Sequence, residues 1–555
     1  MLSSNRELHN YEEACEEFSW DYYRDLCDWD ARDDLNLAHE AVGQHADDRT
    51  SLAFIWVDED GSDEKYTFWE MDQESSKIAN VLDDIGVGKG DRIYTYMPRL
   101  PEHYFSILGS LKTGAVFGAV DRRYSSGALN YRLNHAEATT VITTPEHRET
   151  VREATEDVDS IENVLIIDRD GVGVDDEDID LLERKSEASD EFETVRTAPD
   201  DLALLHYTSG TTGPAKGVVH GHKFILGNMA FTDIPCEVDS GDIYWTLADP
   251  GWLAGMHPLG IWATGGVQLI YNGDPDLQMW AHILDKYPVS SWYAVPTALR
   301  LFMEHEEILA DVNLSLGTII SMGEALNAPV AEWAKDALGA PVLDAYGTSE
   351  TYGMVVSNFK FMDVKPGSMG RPHPGIDVKV VEPGTLEEVE QGEVGEVVVD
   401  EYPSQFLEYW QDEEKTNEKR RDGWVSTDDL VEVDEDGYFW YKGRADDVII
   451  SSGYRIGPTD IESTLVDHEA VAEAAVVPKP DETRGNIIKA YLVPSESADT
   501  STGEKEALQE YVSEELAAHK KPREIEFVDE LPKTLTGKIQ RKELRDKAEG
   551  EVEAA

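Results

Sequence analysis

Residues 207–217 read Tyr207-Thr208-Ser209-Gly210-Thr211-Thr212-Gly213-Pro214-Ala215-Lys216-Gly217, a run rich in glycine, aliphatic hydroxyls and one lysine. Glycine lets a backbone approach an anion closely, and hydroxyls and an ammonium donate to phosphate oxygens. The run follows the apolar stretch 202–206, so a loop leaving a strand is expected. It is not a Walker A loop. The glycine-to-lysine spacing differs, and Gly217 stands after the lysine where a Ser or Thr would hold magnesium. A plain surface turn has no need of so many phosphate-suited groups together.

The run resembles the phosphate loop of the adenylate-forming superfamily: acyl-CoA synthetases, luciferases and peptide-synthetase adenylation domains. Four further segments resemble that superfamily's signatures, in its order. Asp344-Ala345-Tyr346-Gly347-Thr348-Ser349-Glu350-Thr351 is similar to its adenine and magnesium motif. Gly423-Trp424-Val425-Ser426-Thr427-Asp428-Asp429-Leu430 is similar to its ribose motif, and Gly443-Arg444-Ala445-Asp446-Asp447 to its hinge. Leu531-Pro532-Lys533-Thr534-Leu535-Thr536-Gly537-Lys538 is similar to its catalytic-lysine loop. The resemblance spans nearly the whole chain. Two positions depart from it: Asp428 stands where the family usually has Gly, and Ser349 where it usually has Thr.

The resemblance implies roles that also make physical sense. Thr208, Ser209, Gly210, Thr211, Thr212, Gly213 and Lys216 would hold ATP phosphates, and Asp344, Ala345, Tyr346, Gly347, Thr348 and Ser349 would line the adenine and the acyl-phosphate junction. Asp429 would accept both ribose hydroxyls, as an ionised carboxylate can, and Arg444 would contact the ribose. Glu350 would hold Mg2+ bridging the ATP phosphates, since magnesium typically takes one or two carboxylates plus phosphate oxygens. Lys538 would bridge the substrate carboxylate and the α-phosphate, where charge builds during attack. Lys538, Glu350 and Thr208 form the expected catalytic set.

Ser451-Ser452-Gly453-Tyr454-Arg455-Ile456-Gly457-Pro458 resembles the segment lining the pantetheine tunnel of medium-chain acyl-CoA synthetases, with Gly453 leaving room for the thin arm. Ser452, Gly453, Tyr454, Arg455, Arg484, His519, Lys520 and Lys521 would then bind CoA. The stretch 242–252 looks like short-chain and medium-chain enzymes, which implies an acyl pocket of Trp252, Leu253, Met322 and Gly347. In acetate-specific members a tryptophan matches Gly347, so an opened pocket and an acid longer than acetate are expected. The basic side chains Lys520, Lys521, Arg523, Lys533, Lys538, Arg541, Lys542 and Arg545 crowd one C-terminal stretch. They read as phosphate contacts around 519–521, or as a helix with pairs such as Lys542–Asp546.

These residues need a scaffold. Helix-like 77–85 and 102–111 alternate with strand-like 92–96, the βαβ signature of a mostly parallel sheet. Residues 164–167 form one short apolar run in acidic surroundings and suggest an edge strand. The alternation returns at 202 and lasts to 346. Around 366–440 short strands broken by Gly and Pro suggest a barrel-like piece, with residues 434–437 as a turn. After 444 come a strand at 448–450, a helix at 458–466, strands near 474–477 and 490–493, and a frayed tail at 548–555. The reading is an α/β fold: a large N-terminal domain (1–445) of two α/β subdomains plus a distorted β-barrel, and a small mobile α+β C-terminal lid (446–555) hinged at Asp446.

Composition bounds the partners. The 555 residues carry 48 Lys and Arg against 113 Asp and Glu, a net charge of −65. Such a charge repels nucleic acid and anionic membrane and fits a salt-filled, halophilic cytoplasm, where screening removes self-repulsion. No window approaches the ~20 apolar residues of a membrane span, and the N-terminus lacks a signal core. Cys15, Cys27 and Cys236 have no metal-ligand spacing. Small-molecule substrates, cytoplasmic localisation and an undefined oligomeric state follow. The expected activity is AMP-forming fatty acid–CoA ligation using ATP, CoA and Mg2+, favouring medium-chain or short branched acids, with acetate or propionate as the alternative acids. A carrier-loading adenylation enzyme, a luciferase-like oxidase and a chemistry-free adenylate sensor are the other readings.

Overall fold

The computed structural model describes residues 10–553 except 209–214, 325, 452–453, 482–483, 496–497, 499 and 534–538. Two large sheets dominate. In the first, of eight strands, the parallel strands Arg92–Tyr96, Val116–Ala119, Thr140–Thr143 and Asn163–Ile166 lie at the centre. Leu202–Tyr207 joins them in parallel, and Gly217–Gly221 returns antiparallel beside it. The second, of nine strands, has a parallel centre built by Leu52–Val57, Ile243–Thr246, Val267–Tyr271, Val289–Tyr293, Thr318–Ser321 and Val342–Tyr346. Central parallel strands are covered on both faces, so they read as continuous apolar runs; Val116–Ala119 and Val342–Tyr346 are buried throughout.

The helix expected at 77–85 begins earlier and runs Phe68–Asp84, because Thr67 and Glu70 close a reciprocal capping box. Pro101–Lys112 starts with proline at its first turn and is buried along its whole length between the layers. The strand at 163–166 is next to the edge; the edge itself is the two-residue strand Ile179–Asp180. Short edge strands limit unwanted pairing.

The barrel-like piece is a five-stranded antiparallel sheet. Its long strand Trp424–Val433 pairs with Val394–Val399 and Phe439–Arg444. Residues beyond 448 pack two cores of their own around the sheet Val471–Asp481, Gly485–Pro494 and Glu524–Phe527. The tail is not frayed through 553: helix Arg541–Glu553 lies on this sheet, with Ala548 fully buried. Lys479 and Lys489 both pair with Glu551, pinning the helix's last turn.

The N-terminal helices Tyr11–Glu17 and Trp20–Leu26 lie across a distant part of the chain. Tyr11 donates to the Pro372 carbonyl at 2.7 Å and Trp20 to the Gly375 carbonyl at 3.0 Å. The Phe18 ring approaches Gly375 so closely that a Cβ there would sit 2.0 Å from it. Among the described residues no helix is long and apolar enough to cross a membrane.

Candidate active site

The glycine-rich loop is a connection between paired strands. Leu202–Tyr207 leads in, Gly217–Gly221 leads out, and the Thr208 N–H donates to the Lys216 carbonyl at 3.0 Å, closing the loop's base. Residues 209–214 of the expected phosphate set, Ser209, Gly210, Thr211, Thr212 and Gly213 included, lie outside the described residues. Tyr131 donates to the Ala215 carbonyl and holds the outgoing arm.

Glu350 is brought to this loop by tertiary contacts. Its backbone carbonyl accepts from Phe406 N–H, and the Ser349 carbonyl bonds His220 at 3.0 Å. The Tyr409 hydroxyl donates to the Glu350 carboxylate at 2.5 Å, and the Lys216 ammonium stands 5.0 Å from the Tyr409 ring centre. Loss of solvent pushes the Glu350 carboxyl up, but the charge of Lys419 and the Tyr409 hydrogen bond outweigh it, and the carboxyl stays below its usual range. This half-buried, ionised oxygen donor beside the phosphate loop suits a hard cation that keeps phosphate ligands. Among the described residues no three His, Cys, Asp or Glu side chains converge as a protein-only cage.

Asp429 is placed by a bulge. The pairs Glu396↔Leu430 and Val398↔Ser426 leave three residues of the long strand facing Val397 alone, the kind of irregularity that re-aims a side chain. Asp429 accepts the Tyr346 hydroxyl at 2.6 Å and lies 3.6 Å from Arg444, its cross-strand partner. Burial raises the Asp429 carboxyl despite Arg444 and Tyr346. A carboxylate has about four lone-pair sites, so these partners leave capacity for ribose hydroxyls. Asp344 and Ala345 are buried strand residues; burial drives the Asp344 carboxyl far up, and it accepts the Ala345 N–H at 3.1 Å. Thr348 bonds Thr351 through its N–H at 2.9 Å. Lys538 lies outside the described residues.

Of the residues expected at the acyl pocket, Met322 lines a cavity. A narrow cavity of about 310 Å3, its open mouth included, is lined by Phe231, Ala254, His257, Tyr293, Met322, Tyr352, Gly353 and Met354. Trp252 is not in the wall: its indole N–H turns to Asp121 at 3.2 Å. Leu253 points into the main core, and its neighbour Ala254 takes the wall position. Gly347 does not open the pocket either, because a Cβ there would meet the Gly353 carbonyl oxygen at 1.9 Å. Backbone of residue 353, not vacant space, occupies the room that an indole would need.

The polar wall residue, His257, is satisfied from behind. One ring nitrogen bonds Tyr244 at 2.9 Å and the other Thr232 at 3.3 Å, while Thr232 donates to the Asn228 carbonyl. Burial lowers its pKa to about 4, so it presents a neutral ring. No Lys, Arg, Asp or Glu lines the cavity among the described residues.

Of the expected CoA set, the described side chains are those of Arg484, His519, Lys520 and Lys521. Ser452 and Gly453 lie outside the described residues, as do the side chains of Tyr454, Arg455 and the expected hinge residue Asp446. Backbone of Tyr454–Ile456 pairs with Ile449–Ser451 as a hairpin. Arg484 is exposed, its N–H on Asp481, and His519 is exposed on a turn. Lys520 pairs with Asp460 at 2.5 Å, Lys521 with Glu510, Lys533 with Glu473, and Arg541 with Glu462. The basic stretch is thus threaded with local acids rather than gathered into one positive face. In helix Arg541–Glu553 the ion pairs come from Arg541, Arg545 and Lys547, not from the expected Lys542–Asp546.

Tyr409, Lys419, Phe231, Tyr293, His257 and Tyr352 escape a reading of motifs. The one available signal was the aromatic cluster Phe406, Tyr409 and Trp410 in an otherwise acidic segment.

Comparison with known proteins agrees with this geometry. Residues 38–410 match the family described as AMP-binding enzyme, and residues 460–538 match the AMP-binding enzyme C-terminal domain. The acetyl-coenzyme A synthetase of Bacillus subtilis is 37% identical over 98% of this chain and 96% of its own length. Mouse mitochondrial acyl-coenzyme A synthetase ACSM3 is 34% identical over 89% of this chain and 86% of its own. The crystal structure of Brucella canis acyl-CoA synthetase superposes with a TM-score of 0.77 at 33% identity, covering 98% of this chain and 99% of that one. The chain belongs to the AMP-binding enzyme family, as an AMP-forming acid–thiol ligase of the acyl-CoA synthetase kind.

Proposed function

We propose that the protein activates short branched to medium-chain fatty acids as acyl-adenylates and passes the acyl group to CoA. The observation that carries this reading is the apolar cavity with its neutral, internally satisfied His257. Such a wall offers nothing to a second carboxylate or an α-amine, which argues against dicarboxylic and amino acids. The carrier-loading alternative needs an acid facing the amine; Asp233 is instead bonded to Tyr23 at 2.8 Å.

The substrate carboxylate oxygen attacks the α-phosphorus of ATP, and pyrophosphate leaves. Lys216 and Thr208 cradle the phosphates, Asp429 and Arg444 hold the ribose, and Lys538 spans carboxylate and α-phosphate. Glu350 would hold Mg2+, which supplies charge neutralisation at the phosphates. The CoA sulfur then attacks the acyl carbonyl carbon, and AMP leaves. Between the halves the unit 446–555 rotates about Asp446 against 1–445, bringing the Gly453 face to the adenylate. Arg455, Arg484, His519, Lys520 and Lys521 would meet CoA phosphates, Lys520 and Lys521 exchanging their present acids for them.

Acetate and propionate remain the competing substrates, in keeping with the Bacillus relative's name. A screen of AMP release, with and without CoA, across straight and branched acids from acetate to decanoate in molar KCl tests the reading. Release should need both acid and CoA and peak above propionate; an optimum on acetate overturns the chain-length part. Phe231 supports the same test. Its ring abuts Gly353, where a Cβ would come within 1.8 Å of it. Phe231→Ala should move the optimum about two carbons longer, with kcat/KM for those acids rising roughly tenfold at ~0.8 kcal/mol per methylene. An unchanged chain-length profile would show that Phe231 does not bound the pocket.

We also place the protein in a salt-filled cytoplasm, on the strength of its net charge of −65. It should lose ellipticity and activity in dilute buffer and regain both in molar KCl. Full activity at ~50 mM salt, where screening over these distances is weak, would sink the halophilic reading.

A further inference from the structure

Asp428 adopts φ +61°, a left-handed conformation that side chains other than Gly, Asn and Asp rarely take. It lies in the bulge beside Asp429, and glycine is the residue that the family resemblance leads one to expect here. The carboxylate has specific partners. One oxygen accepts the Lys419 ammonium at 2.6 Å and lies 3.5 Å from the Arg444 guanidinium. Lys419 is itself buried, its ammonium also donating to the Ser426 carbonyl at 3.1 Å. Arg444 reaches on to Asp429 at 3.6 Å, and Asp429 to Tyr346 at 2.6 Å. One chain of contacts therefore runs Lys419–Asp428–Arg444–Asp429–Tyr346, and Arg444 ends its strand directly before the hinge turn Ala445–Asp447.

We propose that Asp428, anchored by buried Lys419, is a positioning residue that fixes the Arg444 guanidinium for the nucleotide. A long arginine side chain loses rotamer freedom on binding a ligand; a second carboxylate that already holds the guanidinium removes that cost beforehand. A bare glycine would relieve the backbone but withdraw one carboxylate from the guanidinium. The proposal rests on the ligase reading only through the identity of the nucleotide.

The test pairs Asp428→Asn, which tolerates the same backbone and keeps the side chain's shape, with Asp428→Gly, which removes the strain. Each should raise the KM for ATP in pyrophosphate exchange, and the Kd for ATP by calorimetry, about tenfold, the lower end for loss of an outer partner that orients a binding group. The kcat and the KM for the acid should stay near wild type; the melting temperature should fall, because buried Lys419 loses its carboxylate, and it serves only to show that the variants are folded at the assay temperature. In an Arg444→Ala background Asp428→Asn should change nothing further, because the effect travels through Arg444. ATP affinity within about twofold of wild type in both single variants, or a full additional loss in the Arg444→Ala background, overturns the proposal. Wild-type protein that binds ATP but exchanges pyrophosphate with no acid overturns the ligase reading alone, and the calorimetric comparison still decides the role of Asp428.

Discussion

Replacing Lys538 by alanine is expected to slow adenylation by about 10²-fold or more while sparing thioester formation from supplied acyl-AMP. Two anions, the acid's carboxylate and the α-phosphate, must meet in the first half-reaction, and an ammonium between them is worth most as the new bond forms. In the second half-reaction a neutral thioester replaces a mixed anhydride, and no such pair of anions converges. The flanks argue that the variant will fold. Lys533 and Ile539 bridge antiparallel across the loop, and Gln540 donates to both the Pro532 and Lys533 carbonyls at 2.8 Å. Residues 532, 533, 539 and 540 are thus tied together by contacts that do not involve Lys538. Rapid-quench measurement of each half-reaction separates the outcomes; equal loss in both would show that Lys538 is not the adenylation lysine.

Glu350→Gln should cost a similar ~10²-fold in pyrophosphate exchange and raise the magnesium concentration needed for half-maximal rate. Glutamine keeps the volume and can still accept the Tyr409 hydroxyl, which stands at 2.5 Å from the native carboxylate. What it removes is the negative charge that the surroundings preserve: Lys419 and Tyr409 hold the carboxyl below its usual range against desolvation. Titrating magnesium against exchange rate, with melting temperature as a control on folding, decides the matter. Exchange within threefold of wild type at all magnesium levels would assign the cation elsewhere.

The strand leading into the glycine-rich segment is legible because a parallel strand buried on both faces tends to an apolar run, as from 202 onward, while 92–96 is legible from its place between two helical periods. The helix Pro458–Val466 was equally plain, with proline at its first turn. The order of motifs points to a nucleotide site because each motif is a short contiguous segment. The apolar cavity is not legible in the sequence. Its wall is assembled from residues separated by more than a hundred positions, such as Phe231 and Tyr352, and no local pattern tells an aromatic that lines a cavity from one that fills a core. Gly347 shows the limit of matching by position alone: the missing side chain was noticed, but not the Gly353 carbonyl that takes its place. The bulge at 427–429 was hidden too, because two extra residues in a strand leave no mark in hydrophobic alternation.

The N-terminal helices have a consequence for how the chain is made. Tyr11 and Trp20 find their acceptors, Pro372 and Gly375, 361 and 355 positions further on. At ~5–20 residues per second, a ribosome needs roughly 20–70 s to deliver those acceptors after the helices have emerged. For that interval Phe18, Trp20 and Tyr23, which end in aromatic contact with one another and with His373 and Tyr402, have no native surface to cover them. The acidic residues interspersed among them, Glu12, Glu13, Glu16, Glu17, Asp21 and Asp25, keep that waiting segment charged. These acidic side chains thus act before the fold is complete, as gatekeepers that discourage nascent chains on one messenger from sticking together.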